Sequence, residues 1–190
     1  MLNLADIEPG QVRPLRRCEY DQLVDTGAFA DERIELIDGW LVTMSPQDAQ
    51  HAYTVQRLAR ELTVNLDRRA AVRTQMPLAL SDVSEPEPDV AVVHDADYSV
   101  HHPSTAFLIV EVSTSSLRRD RTVKAPIYAR AGIPDYWIID LQSRLVDVHR
   151  GPSDAGYSNV TSHREDEALT LLNFPDVQVQ IHSILPTRRA

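Results

Sequence analysis

The chain has a single cysteine, Cys18, among its 190 residues. An intrachain disulfide is therefore impossible, and a zinc site built from several thiolates is excluded within one chain. No apolar run approaches the ~20 residues of a membrane-spanning helix. Residues 1–14 lack the basic stretch followed by an apolar one that marks a signal peptide. Positive charge is also scarce: the formal net charge is −9. That balance argues against indiscriminate nucleic-acid binding, which leaves a basic footprint, but it leaves room for a local basic groove. The expectation is a cytoplasmic protein without a membrane partner, folded as one domain over residues 1–190 with a sizeable core. Neither an internal repeat nor a low-complexity tract is present.

The hydrophobic pattern predicts the elements in order. Met1 to Arg13 reads as an irregular arm, and Arg16 to Thr26 as a short helix stopped by Gly27. Two alternating runs, Arg33 to Ile37 and Trp40 to Met44, flank Asp38-Gly39, which is a strong hairpin signal. The longest helical pattern covers Gln47 to Ala70, with Val55, Leu58, Leu62 and Leu66 on one stripe. Ala71 to Leu80 reads as a strand, and Ser81 to Pro88 as an acidic, proline-punctuated loop. Short β-branched or apolar runs follow at Asp89 to Val93, Phe107 to Glu111 and Tyr136 to Asp140, and an alternating one at Leu145 to Arg150. A helix is expected from about Thr122, which puts Pro126 in a first turn. Later strands are predicted at Tyr157 to His163, Ala168 to Leu172 and Asp176 to His182. The fold class is α+β, a mixed central sheet flanked by helices, with an N-terminal arm at 1–15, a core at about 16–150 and C-terminal strands at 151–190.

The chemistry concentrates in the apolar runs. Phe107 to Val110 ends in Glu111, and an unpaired buried carboxylate is strongly disfavoured, so it needs a cation. A salt bridge or a capping acid would satisfy that need; so would a metal. The run Val90 to Val93 is opened by Asp89. Antiparallel pairing with Val93 opposite Phe107 places Ala91 opposite Ile109 and Asp89 opposite Glu111, with Cβ atoms roughly 4.5–5.5 Å apart. Two carboxylates that close repel unless a cation lies between them, and a hard divalent ion with oxygen ligands suits them. Glu35 and Lys124 complete a cluster of candidate catalytic residues, Glu35, Asp89, Glu111 and Lys124, with Asp89 and Glu111 as candidate ligands of Mg²⁺ or Mn²⁺. Carboxylates with a lysine are the toolkit of metal-assisted phosphodiester hydrolysis. Glu35 alone could equally be a surface acid. Asp120 and Lys124, four apart, could be a simple helical ion pair.

Around these residues the chain resembles the PD-(D/E)XK nuclease superfamily, with Pro88-Asp89 as the PD and Glu111-Val112-Ser113 as the (D/E)XK. More specifically it is similar to the Uma-type family of restriction endonuclease-like proteins, formerly a domain of unknown function. The resemblance spans roughly Tyr20 to Arg150. It rests on Glu35 with Asp38-Gly39, Met44-Ser45-Pro46, His51, the two acid motifs, Asp120, Lys124, Tyr128, Ala131-Gly132-Ile133 and Tyr136 to Asp140. It departs from the superfamily pattern at Ser113, where a lysine is expected, and it implies that Lys124 supplies that charge from the following helix.

His51 lies one turn before Val55, on the apolar stripe, where a hydrogen-bonded histidine at the core edge is the commoner occurrence; the functional alternative is substrate contact. Arg118, Arg119 and Arg121 are a solvated basic face or hold a phosphate backbone beside the acids. Trp137 is expected in the core. The implied function is a Mg²⁺-dependent endonuclease acting on DNA, working as a homodimer because two strands must be addressed. The competing class is a nuclease-fold protein without catalysis that binds nucleic acid or assembles with a partner. A glycosidase, which also uses paired carboxylates, lacks its aromatic sugar platform here.

Overall fold

A computed structural model describes residues 12–187. Most of the predicted N-terminal arm, residues 1–11, lies outside that range. Ten strands and five α-helical segments are found among the described residues. The first helix, α1 (Arg17–Asp25), is followed by the hairpin β1 (Ile34–Ile37) and β2 (Trp40–Thr43). Both turn residues have positive φ, Asp38 at 46° and Gly39 at 81°, as the tight turn matching strand twist requires. Gly39 is also sterically obligatory: a Cβ there would lie 2.2 Å from Cβ of Pro14.

The central sheet has six strands in the order β3 (Ala71–Arg73), β4 (Val90–Val93), β5 (Leu108–Ser113), β6 (Asp135–Asp140), β7 (Leu145–Ser153) and β8 (Gly156–Arg164). All neighbours are antiparallel except β5 and β6. The expected register of β4 on β5 is present: Ala91 faces Ile109, and Val90 and Val92 face Val110 and Leu108. The sheet carries straight through residue 150, since β7 continues to Ser153 and pairs with β8 along its length.

Alternation sorts the sheet residues onto two faces. Val90, Val92, Leu108, Val110, Trp137, Ile139, Val146 and Val148 pack on α2 (Ala49–Leu66) through Val55, Leu58, Leu62 and Leu66. Burying each of these leucines stabilises the fold by about 1.5–3 kcal/mol. The C-terminal pair β9 (Ala168–Thr170) and β10 (Gln178–Gln180), with α5 (Ile181–Ile184), covers the same face. The other face, with Ala91, Ile109, Tyr136 and Ile138, packs on Ala125 and Tyr128.

Besides the longer β7 and a β9 that stops at Thr170 rather than Leu172, four boundaries differ from expectation. The strand at Ala71 ends at Arg73, because Gln75 takes a positive φ of 52° and turns its backbone N–H to the carbonyls of Pro88 and Asp89. The strand at Asp176 shortens to β10 and passes into α5, which packs on α2. The long helix is trimmed to Ala49–Leu66, with Asp48 accepting the backbone N–H of His51 at its start and Asp67 left-handed at its end. The helix expected from Thr122 begins earlier, as α3 (Leu117–Arg119), and continues through a π-helical turn, Asp120–Lys124, into α4 (Ala125–Arg130).

Beside this core, Glu85 is buried with Oε2 unpartnered, and its nearest cation, Arg17, is 3.8 Å away. Burial pushes its carboxyl up to about 7, with Asp21 and Glu87 adding to the rise and Arg17 opposing it. Between about 4.5 and 7 the folded state holds a proton that the unfolded chain has lost, so stability falls as pH rises through that window. Glu85→Gln should therefore leave stability at pH 4 unchanged and raise it at pH 8 by roughly 1–3 kcal/mol. Urea melts at the two pH values measure this; equal stability of wild type and variant at pH 8 would contradict it.

Candidate active site

Alternation along β5 puts Glu111 on the same face as Ile109, opposite Ile138 of β6 and beneath the helix that runs from Leu117 to Arg130. Lys124 and Tyr128 descend from that helix onto one oxygen. The Lys124 ammonium is 2.9 Å from Glu111 Oε1, and the Tyr128 hydroxyl donates to the same Oε1 at 2.7 Å. Lys124 is also 3.1 Å from Oε2 of Glu35, which β1 supplies and which accepts the Glu87 backbone N–H at 3.2 Å. The lysine, only 2% exposed, is thus clamped between two buried carboxylates.

The π-helical turn explains how the lysine reaches them. The Ala125 N–H bonds back to the Asp120 carbonyl, five residues earlier. In a regular α-helix the Pro126 ring would collide with the carbonyl of Thr122, and a wider turn relieves that clash. Asp120 then takes the Ser116 hydroxyl at 2.6 Å rather than Lys124 as its hydrogen-bond partner. Burial, opposed by that hydroxyl and by Lys124, raises the Asp120 carboxyl.

Asp89 stands at the entry to β4. Its Oδ2 accepts the Val112 backbone N–H at 2.8 Å and lies 3.0 Å from His51 Nε2, and Gln75 donates to Oδ1 at 3.5 Å. Asp89 and Glu111 open together on a cavity of about 360 Å³, walled by Met44 to Asp48, His51, Val112, Thr114 to Ser116, Arg33, Glu87, Arg119 and Lys124. Burial raises the Glu111 carboxyl; Lys124 opposes the rise, and Asp89, Asp120 and Glu35 reinforce it. Burial works against the Lys124 charge, but Glu111, Glu35 and Asp120 outweigh it and hold the group as an ammonium. His51 is partly buried, which works against its charge, yet the Asp89 hydrogen bond and charge, with Asp48 and Asp120, raise it from the ordinary histidine value.

The predicted residues do not all meet. Asp89, Glu111, Lys124, His51 and Arg119 line the cavity. Glu35 lies behind it, fully buried, and meets its wall through Lys124, the Glu87 backbone N–H and, at 3.9 Å, Arg119. Arg118 is exposed and outside the cavity wall, and Arg121 turns to Asp147 at 2.6 Å. A helix cannot aim residues at 118, 119 and 121 in one direction, so only the middle arginine faces the acids. Arg33, at the rim and paired with Glu87 at 3.0 Å, was not among the expected residues. Its signal was available, since it alternates with Glu35 along the first hairpin strand. Gln75 carried no chemical signal of its own, and Tyr128 entered only as part of the family resemblance, without a role. Among the described residues no group of three or more His, Cys, Asp or Glu side chains is arranged to hold a metal; Asp89 and Glu111 are a pair.

A family model described as a putative restriction endonuclease, Uma2, matches residues 18–183. The chain belongs to this family. Among solved structures, the chain is similar to a putative nuclease belonging to DUF820 from Anabaena variabilis ATCC 29413, with a TM-score of 0.70. The match covers 90% of this chain and 97% of that one at 14% identity, which speaks for the fold alone. No curated protein matches the sequence. Membership of the Uma2 family makes this a restriction endonuclease-type protein. Among the described residues no helix is long and apolar enough to cross a membrane.

The clamp sets a stability expectation. Lys124→Met should lower apo stability by about 3–5 kcal/mol, because it strands two buried carboxylates. Adding Glu35→Gln to Lys124→Met should recover part of the loss. A double-mutant cycle on chemical melts tests it; strictly additive losses would show that Glu35 and Lys124 are not coupled.

Proposed function

We propose that this protein is a Mg²⁺-dependent endonuclease hydrolysing DNA phosphodiester bonds, with Mn²⁺ able to substitute. The observation that carries the reading is the joint exposure of Asp89 and Glu111 on one cavity backed by a buried ammonium. The donor set fits such an ion. Magnesium keeps several waters and needs only one or two carboxylates besides the substrate phosphate. Both internal hydrogen bonds to Glu111 fall on Oε1, so Oε2 is available. In two cavity residues, His51 Nδ1 and Arg119 Nε are buried without a hydrogen bond in the protein; the Arg119 N–H, a donor, suits a phosphate rather than the cation. When bound, the ion supplies charge compensation for the phosphate and acidifies water.

The chain's own groups divide the remaining work. Asp89 and Glu111 would hold the ion. Lys124, kept charged by Glu35 and Glu111, offers positive charge to the transition state rather than accepting a proton. Arg119, which has no close hydrogen-bond partner among the described residues, and Arg33 at the rim would grip the phosphates. A cytoplasmic setting fits a DNA substrate. The second reading, a binding module without catalysis, is favoured by Ser113 standing where the superfamily carries its lysine.

Asp89→Asn separates the two. The amide can keep the Val112 N–H bond, so the apo fold should hold, while Mg²⁺ affinity and plasmid nicking fall together. Thermal melts with and without Mg²⁺ beside a nicking assay decide. A wild type that shows neither a Mg²⁺-dependent shift nor nicking leaves the binding module standing.

The same reading includes a homodimer, and β8 supports it. This strand is the last of the sheet, pairs only with β7, and carries no Lys, Arg, Asp or Glu from Gly156 to His163. Val160 at its centre is 52% exposed. Sheet edges are ordinarily guarded by charge or proline, and an antiparallel match centred on Val160 would pair β8 with its copy. Val160→Lys would set two like charges directly opposite each other. Sedimentation should show a wild-type dimer and a monomeric variant; a monomeric wild type at micromolar concentration, with or without DNA, removes the proposal.

A further inference from the structure

The geometry points to Tyr128 as a positioning residue that makes Glu111 a one-oxygen metal ligand and thereby biases the site toward Mg²⁺ or Mn²⁺ over Ca²⁺. The inference rests on the reading of Asp89 and Glu111 as metal ligands. Tyr128 is fully buried, and its hydroxyl donates to Glu111 Oε1 at 2.7 Å. Lys124 reaches the same Oε1 at 2.9 Å. The lysine alone cannot fix the carboxylate, because its ammonium is shared with Glu35 at 3.1 Å and a lysine is a point charge without directional preference. The phenol supplies direction. Its ring is held 4.9 Å from that of Tyr136, which in turn stacks with Tyr157 at 6.0 Å and lies 5.4 Å from His149. This rigid aromatic group therefore fixes the torsion of the Glu111 carboxylate from behind.

Turning one oxygen inward has a chemical consequence. Ca²⁺ accepts six to eight oxygens and readily takes a carboxylate through both, whereas Mg²⁺ demands near-octahedral geometry with single oxygens and retained waters. A carboxylate with Oε1 engaged by two internal donors can offer only Oε2. Partners behind a metal ligand of this kind change metal affinity by about 10- to 100-fold when removed.

Tyr128→Phe keeps the ring in its packing and removes only the hydroxyl. Tyr136→Phe is the matched control: it also deletes a buried phenol hydroxyl, but one that donates to the Asp120 carbonyl at 3.2 Å and not to Glu111. Calorimetric titration of Mn²⁺ and of Ca²⁺, each alone and without nucleic acid, reads the effect, with thermal melts confirming that all three proteins are folded. Tyr128→Phe should weaken Mn²⁺ binding about 10-fold or more and lower the Mn²⁺-to-Ca²⁺ affinity ratio, while Tyr136→Phe leaves the ratio as in the wild type. Wild-type Mn²⁺ binding with an unchanged ratio in Tyr128→Phe, or an equal fall in both variants, overturns the role of Tyr128. A wild type that binds no Mn²⁺ overturns both this inference and the metal reading beneath it.

Discussion

A buried ammonium between two buried carboxylates organises this molecule. Lys124 joins Glu35 of the first hairpin, Glu111 of the central sheet and the helix crossing above them. Taking three charges out of water costs several kcal/mol per ion, and mutual attraction offsets this only when the remaining lone pairs are satisfied. Here they nearly are. Glu35 Oε2 also takes the Glu87 N–H, and Glu111 Oε1 takes the Tyr128 hydroxyl. Glu111 Oε2 faces the cavity, and Glu35 Oε1 is the one oxygen of the two acids buried without a hydrogen bond, with the Arg119 guanidinium 3.9 Å away. A salt bridge of this kind is weak evidence for stability. It does fix where three separate elements must meet, and the cavity exists because they meet there.

The helix that delivers the lysine shows how local rules bend to that demand. Pro126 inside a helical pattern argues for a start near Thr122, which would leave the chain from Ser113 to Arg121 irregular. Ser116 and Asp120 instead open the helix early, and the π-helical turn absorbs the proline. An extra residue in one turn rotates everything after it, so the four-residue spacing of Asp120 and Lys124 no longer makes them partners. The lysine is released from its nearest acid in sequence to the two acids it meets in space.

The sheet was legible because its signals are local and redundant. Short β-branched runs bounded by breakers set β4 and β5, and one assumed register correctly aligned Ala91 with Ile109. The acid pair followed from that register. Glu35 was legible as a member of the cluster but not as the residue behind the lysine, since alternation gives a face and not a depth. Arg118 and Arg121 failed for a related reason: composition shows a basic stretch, but only the helix phase shows that Arg119 alone turns inward. Arg33 and Gln75 were missed, and Tyr128, named only within the family resemblance, had no role, because each acts through a neighbour brought close by the fold. Gln75 reaches Asp89 from a left-handed backbone position that nothing in its surrounding residues announces.

On the proposed function, the charges lining the cavity would let an acidic chain approach a polyanion. Its walls carry four carboxylates, Asp48, Glu87, Asp89 and Glu111, against three permanent cations, Arg33, Arg119 and Lys124, with His51 as a fourth when protonated. Nearly every cation already lies beside an acid: Arg33 with Glu87, His51 with Asp89, Lys124 with Glu111, and Arg119 within 3.9 Å of Glu35. Left alone the site is close to self-neutral, and the −9 of the whole chain keeps loose polyanions away. A divalent cation on Asp89 and Glu111 would add two positive charges at low local dielectric, where they act strongly. The cavity would then present a net positive field against an acidic background. On the proposed function, nucleic-acid affinity would be conditional on the metal, and the acidity of the chain would limit binding to this cavity.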